Sequence, residues 1–344
     1  MTALTGSTRR YAWLNFENGG RTPTGEFDFT RLQRLVAPLN TGQPPPGAAE
    51  PVAVLAICEA KEWGAKGNHG LLTAAQALSE SLNRTYVGKL CSFDRGPIGP
   101  ALFFDPTLVR PVEWHDDNGY PDYIDKSDFT RFQIVGTDHH FVVIVRHLSP
   151  LSPQQRKEQT RLLGRYGDGF PDPVLILGDL NCTPSGPRWP RRDWTQAPYR
   201  ARDAKAVRLP DGTWVDATDA IDHLIGRWDE DPHRPGRVDG CGFWATPEIA
   251  HATGTPIEEA FRATVNHGVD PGGGQLIDHC LVNRPHLYVP GSYRIHIPPK
   301  RDDGRWDSDH RLGEATFDLA TKPSPTTYAD AELARSYRLL AGQR

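Results

Sequence analysis

No stretch of this 344-residue chain approaches the roughly 18 consecutive apolar residues that a membrane-crossing helix needs. The segment Met1 to Arg10 is polar and lacks the apolar centre of an export signal, so a cytoplasmic protein without membrane association is expected. Cysteine is sparse: Cys58, Cys91, Cys182, Cys241 and Cys280 are odd in number, scattered and free of CxxC spacing. That suggests neither a disulfide framework nor a thiolate zinc site, and favours small buried residues. Charge of one sign is also lacking. The 39 Lys and Arg set against 43 Asp and Glu give a net charge of -4, so any polyanion partner must be met by a local patch. Internal repeats are absent, and the one low-complexity stretch, Pro44-Pro45-Pro46-Gly47, reads as a surface loop.

What remains is a composition able to build a large core, with 38% hydrophobic and 24% charged residues. Apolar, β-branched runs recur at Tyr11 to Phe16, Val52 to Cys58, Ala101 to Phe104, Phe132 to Val135, Phe141 to Val145, Val174 to Leu177, Leu276 to Val282 and Glu314 to Leu319. They read as strands buried on at least one face. Between them, Leu71, Ala74, Ala75, Leu78 and Leu82 follow a helical period, as do Ile221, Leu224, Ile225 and Trp228. Ser152-Pro153-Gln154-Gln155 combines an N-cap, a first-turn proline and a capping-box glutamine, and Thr255-Pro256-Ile257-Glu258 repeats that chemistry. Irregular alternation of strands and helices predicts mixed sheets with helices outside them. The expected organisation is one catalytic domain over residues 1–320. Residues 321–344 follow as a linker and a short helical tail, with Leu333, Tyr337 and Leu340 on one face.

Polar residues close several apolar runs, where side chains from a sheet edge can converge in a crevice. Glu59 follows Val52 to Cys58, His147 follows Phe141 to Arg146, and Asp179 and Asn181 follow Val174 to Gly178. Ser308-Asp309-His310 precedes the last strand. Singly, such residues also serve as helix caps and turn formers. Their order along the chain is the informative property. Trp13-Leu14-Asn15, Ile57-Cys58-Glu59, Arg146-His147-Leu148, Gly178-Asp179-Leu180-Asn181, Ile277-Asp278 and Ser308-Asp309-His310 together resemble the endonuclease/exonuclease/phosphatase superfamily.

That resemblance implies a four-layer α/β/β/α sandwich of two packed mixed sheets, with a hydrolytic site at one end. It implies a Mg²⁺ or Mn²⁺ ion held by Glu59 with Asn15 and Asp309, in keeping with the preference of hard cations for oxygen donors. Asp179 would orient or deprotonate the attacking water, Asn181 and His310 would bind charge developing on the phosphorus, and Asp278 would fix His310. By the same resemblance His147 is a candidate acid for the leaving group, and Arg131 is similar to a strand arginine that contacts phosphate. The chain departs from the family pattern in lacking a tyrosine near Ala101 to Phe104, and in placing Gln275-Leu276 before Ile277-Asp278 and His279 after it.

The substrate expected is DNA or RNA, cleaved as a phosphodiester. The segment holding Arg188, Trp189, Arg191, Arg192, Trp194, Tyr199, Arg200, Arg202, Lys205 and Arg208 has the cations and rings of a nucleic-acid groove. It equally suits a basic loop whose tryptophans pack against the body. The alternatives are a phosphomonoesterase, a phosphodiesterase for a small nucleotide or lipid head group, and a non-catalytic binding module. A monomer is favoured.

Overall fold

The computed structural model describes residues 6–41, 51–91, 98–115, 128–231, 233 and 235–319. The Pro44 to Gly47 loop and the tail from residue 321 lie outside the described residues. Strands, in chain order, are β1 (Thr8–Asn15), β2 (Val52–Cys58), β3 (Val87–Leu90), β4 (Ala101–Phe104), β5 (Val109–Trp114), β6 (Phe129–Ile134), β7 (His140–Val145), β8 (Val174–Asp179), β9 (Ala206–Arg208), β10 (Trp214–Asp216), β11 (Arg227–Asp229), β12 (Gly236–Val238), β13 (Trp244–Ala245), β14 (Asp278–Val282), β15 (Arg294–Ile295) and β16 (Gly313–Asp318). Helices are α1 (Thr30–Val36), α2 (Pro38–Thr41), α3 (Ala65–Leu82), α4 (Pro153–Leu163), α5 (Tyr199–Lys205), α6 (Asp219–Ile225), α7 (Thr246–Ala252) and α8 (Ile257–Ala260). Among the described residues no helix is long and apolar enough to cross a membrane.

Two six-stranded mixed sheets form the centre, in the orders β15-β16-β1-β2-β4-β3 and β13-β14-β8-β7-β6-β5. Side chains alternate between faces along each strand, and both faces here are covered, which is why the strands read as continuous apolar runs. Tyr11, Trp13, Val54 and Ala56 point inward against Phe132, Phe141, Val143 and Leu177 of the other sheet. The Tyr11 and Phe141 rings meet edge to face at 5.7 Å across the interface. The alternate residues Ala12, Leu14, Leu55 and Ile57 pack outward on Leu32 and Leu35 of α1 and Leu71, Ala74 and Leu78 of α3. On the far side Val142, Ile144, Val174 and Ile176 pack on Leu163 of α4 and Ile221 and Leu224 of α6. The layers are therefore α/β/β/α, as expected, and each fully buried Leu, Ile or Val contributes about 1.5–3 kcal/mol.

Local departures have identifiable causes. Helix α6 stops at Gly226, whose φ of 93° breaks the helical path, and Trp228 belongs to the hairpin β11–β12 instead of the helix. Ser152 caps α4 by accepting from the Gln155 backbone N–H at 3.4 Å. The reciprocal half of the capping box is absent, because the Gln155 side chain accepts from the Ser149 hydroxyl at 2.6 Å.

Strand direction brings the polar ends together. β1 is parallel to β2, and β7 is parallel to β8, so Asn15, Glu59, His147 and Asp179 leave the sheets at one end. β14 and β16 are antiparallel to β8 and β1, which places the residues that begin them at that same end. Asp278 lies directly opposite Asp179 in the ladder.

Candidate active site

Asn15, at the last position of β1, is 1% exposed, and its side-chain amide joins the two sheets. Nδ2 donates to Asp179 Oδ2 at 2.9 Å and to Glu59 Oε1 at 3.2 Å. Only with the nitrogen on that side can the amide satisfy two carboxylates, and this leaves the buried Oδ1 without a hydrogen-bond partner. Glu59 adopts a left-handed backbone with φ 62° as the chain leaves β2, and its Oε2 accepts from the Asn18 N–H at 2.7 Å. Asn18 at φ 55° and Asn181 at φ 53° are left-handed too. Such conformations cost on the order of 1–3 kcal/mol each and gather at sites where geometry outranks stability.

Asp179 is buried, and its Oδ1 accepts from the Asn181 backbone N–H at 2.8 Å. His147 Nε2 lies 3.6 Å and His310 Nε2 4.0 Å from Asp179 Oδ2. Burial alone would raise the pKa of Asp179. The charges of His310, His147 and Lys205, with the Asn15 hydrogen bond, outweigh it and hold the carboxyl below the usual range. His310 Nδ1 donates to Asp278 Oδ2 at 2.7 Å. Burial opposes protonation of that ring, but the Asp278 charge and hydrogen bond, with Asp179 and Asp309 nearby, push its pKa up to about 10. His310 is thus an imidazolium between two acids.

The carboxylates on the other flank repel one another. Asp309 is raised first by burial and then by Glu59 and Asp179. Glu17 is raised by burial and then by Asp309 and Glu59, although Arg31 donates to it at 3.1 Å. Asp179, Asp278 and His310 also present ligand atoms within 4.8 Å of one another, a spacing able to hold a cation.

Supporting contacts come from residues that no motif marked. Thr264 Oγ1 accepts from the Ile277 and Asp278 backbone N–H groups, both at 3.0 Å, and so holds Asp278 in place. Asn266 donates to the Ser308 carbonyl at 2.9 Å, and the Ser308 hydroxyl donates to the Asn15 carbonyl at 2.7 Å. These bonds fix the 308–310 turn over β1.

A family model described as the Endonuclease/Exonuclease/phosphatase family matches residues 18–310. The chain belongs to that family. Members are hydrolytic phosphoesterases, typically dependent on a divalent metal. Solved structures similar to this chain include an endonuclease/exonuclease/phosphatase family protein from Bacteroides thetaiotaomicron (13% identity, 92% of this chain and 100% of that chain, TM-score 0.50). They include TDP2 from D. rerio complexed with single strand DNA product (14%, 90% and 99%, TM-score 0.52). The human Nocturnin catalytic domain with bound sulfate anion is similar as well (13%, 91% and 94%, TM-score 0.50). Likeness at these identities carries the fold alone. No curated protein matches the chain in sequence.

Against the family pattern, two expectations need correction. Arg131 does not reach the site. It pairs in register with Val142, and Val142 pairs with Val174 at the start of β8, so Arg131 sits at the opposite end of the sheet from Asp179. β6 runs antiparallel to β7, and each residue beyond Phe129 moves away from the site; Arg131 Nε instead donates to Asp172 at 2.7 Å. The basic and aromatic segment is divided: its two tryptophans and Arg192 turn inward, while Arg191, Tyr199, Arg200 and Arg208 are exposed. Trp189 is 3% exposed and donates to Glu248 at 3.2 Å; Trp194 is 4% exposed and donates to Asp216 at 3.0 Å. Arg192 is buried with Nε on the Pro271 carbonyl, Arg191 donates to Asp216 at 2.9 Å, and the Arg202 guanidinium covers Trp214 at 5.6 Å. Arg188 is half-buried, while Tyr199 and Arg200 face solvent. Rings buried in this way cannot stack on bases. The other sequence-predicted residues, Asn15, Glu59, His147, Asp179, Asn181, Asp278, Asp309 and His310, lie together at the end of the sandwich. Glu17 joins them unannounced, two positions after Asn15.

Proposed function

We propose that this family member hydrolyses phosphodiesters by attack of water, with Mg²⁺ or Mn²⁺ as cofactor. The observation that carries the reading is the buried, unpartnered Oδ1 of Asn15 beside the mutually repelling carboxylates Glu59 and Asp309. An orphaned oxygen and crowded acids fit an oxygen-coordinated hard cation, and Glu59, Asp309 and Asn15 would hold it. When bound, the cation supplies positive charge to an anionic phosphate. His310 favours the other role open to it, because the nitrogen shared with Asp278 keeps it protonated and a donor toward phosphate oxygen. Asp179, held ionised, accepts a hydrogen bond from the attacking water and then its proton. Asn181 commits one amide hydrogen to the Leu148 carbonyl at 3.1 Å, which ties the His147 segment to Asp179, and offers its second to a phosphate oxygen. His147 donates a proton to the departing oxygen.

The test is hydrolysis of bis(4-nitrophenyl) phosphate with Mg²⁺ or Mn²⁺ and with EDTA. Metal-dependent turnover is expected. A folded protein that leaves this diester, plasmid DNA and RNA all untouched would overturn the reading in favour of a binding module. A nuclease is the second reading, supported by the exposed Tyr199 and Arg200 and by the proximity of the Lys205 charge to Asp179. A nuclease of this kind would lose DNA affinity steeply as salt rises.

A further inference from the structure

A cleft of about 590 Å³ opens beside the site, with His147 in its wall. That volume is in the range of small-molecule sites. Its lining also includes Gly99 and Pro100, and the Gly99 carbonyl accepts from the Ala60 N–H at 2.8 Å, one residue beyond Glu59. The cleft is thus bounded by His147 of the site and by a segment hydrogen-bonded to the residue that follows Glu59.

Its polar lining is already engaged. Gln155 and Gln159 both accept from Ser149, at 2.6 Å and 3.0 Å, and Glu158 accepts from Gln154 at 2.9 Å. Arg146, the arginine among the described lining residues, is held by Asp128 at 2.7 Å, with both side chains under 10% exposed. The large side chains left open are apolar: Leu151 is 74%, Leu162 37% and Ile98 36% exposed. A phosphate-bearing strand laid here would meet Glu158 and, among the described lining residues, no lysine and no arginine but the Asp128-bound Arg146, whereas an uncharged apolar group would cover Leu151, Leu162 and Ile98.

We propose that this cleft receives an uncharged, largely apolar aryl or alkyl group carried on one ester oxygen of the phosphodiester, so that the substrate is a small ester and not a nucleic-acid strand. The assignment rests on the phosphodiester reading above. It is tested with Leu162→Trp, which fills the cleft, and Leu151→Arg, which charges it; both positions are exposed enough to spare the fold. The probe is 2-naphthol, titrated by its fluorescence. Wild-type protein should bind it, and both variants should bind about tenfold or more weakly. KM for bis(4-nitrophenyl) phosphate should rise by a similar factor with kcat unchanged. Naphthol binding that is absent from wild type, or equal in all three proteins, overturns the proposal. So does a single-stranded oligonucleotide whose affinity falls in step with naphthol in Leu162→Trp, because the cleft would then be a strand groove. Naphthol binding is read without turnover: if it behaves as expected while wild type hydrolyses no diester, the cleft stands and the phosphodiester reading falls.

Discussion

Of the buried ionic clusters among the described residues, two are built to opposite ends. On β1 and β16, Arg10 grips Glu314 through two nitrogens, sends its third to the Leu39 carbonyl at 2.8 Å, and His296 binds the other Glu314 oxygen at 2.9 Å. Every group named there is answered. At the site, Asp179, Asp278 and Asp309 face His310, and Asn15 Oδ1 and Asp278 Oδ1 have no hydrogen-bond partner. A closed cluster holds strands together; an open one keeps binding capacity for something that arrives.

Breaking the open cluster should change chemistry most. Asp179→Asn is expected to lower kcat by about 10²–10⁴-fold with KM little altered, measured with an aryl diester. Retained turnover would remove Asp179 as the base.

Breaking the closed cluster should change stability and leave chemistry alone. Glu314→Gln strands a buried Arg10, a loss of about 3–5 kcal/mol by denaturant melts. The pH responses should also oppose one another. Burial would raise the Glu314 pKa, but the His296 hydrogen bond and Arg10 hold it low, so its contribution is complete above the ordinary Glu value of 4.5 and vanishes as pH falls through the folded one. His310 is raised from 6.5 to about 10, so its contribution is complete below 6.5 and is lost as pH climbs through 10. Melting across pH should show an acid limb removed by Glu314→Gln and an alkaline limb removed by His310→Gln. A single limb abolished by both variants would mean that the clusters are not independent.

Glu59→Gln should raise the Mg²⁺ concentration for half-maximal rate by about tenfold or more without altering the melt; an unchanged requirement takes Glu59 out of the metal site. Arg131→Ala should do least, about 1 kcal/mol or less in stability and nothing in kcat, since its partner Asp172 is part-exposed. A large kcat loss there would return Arg131 to the site.

Strands buried on both faces were the easiest part of the fold to read, since β2 and β8 announce themselves as unbroken apolar runs. β3 at the sheet edge and the alternating β5 with Pro111 inside it were not, because partial exposure dilutes the apolar pattern. The same limit applies to the site. Residues closing strong strands could be proposed from their position, but Glu17, Thr264 and Asn266 act through folded proximity that no local pattern carries. The Arg188 to Arg208 segment shows the converse. Tryptophan and arginine make the same composition whether the rings face solvent or the body, and contacts to Glu248, Asp216 and Pro271 decided it.

The left-handed backbone at Glu59 has a consequence for engineering. Glycine would relax that turn at no steric penalty. If Glu59 holds the metal as proposed, a screen that rewards heat resistance alone would let Glu59→Gly through wherever the relaxed turn offsets its lost hydrogen bonds to Asn15 and Asn18, so selection for durability in this scaffold has to be coupled to a readout of turnover.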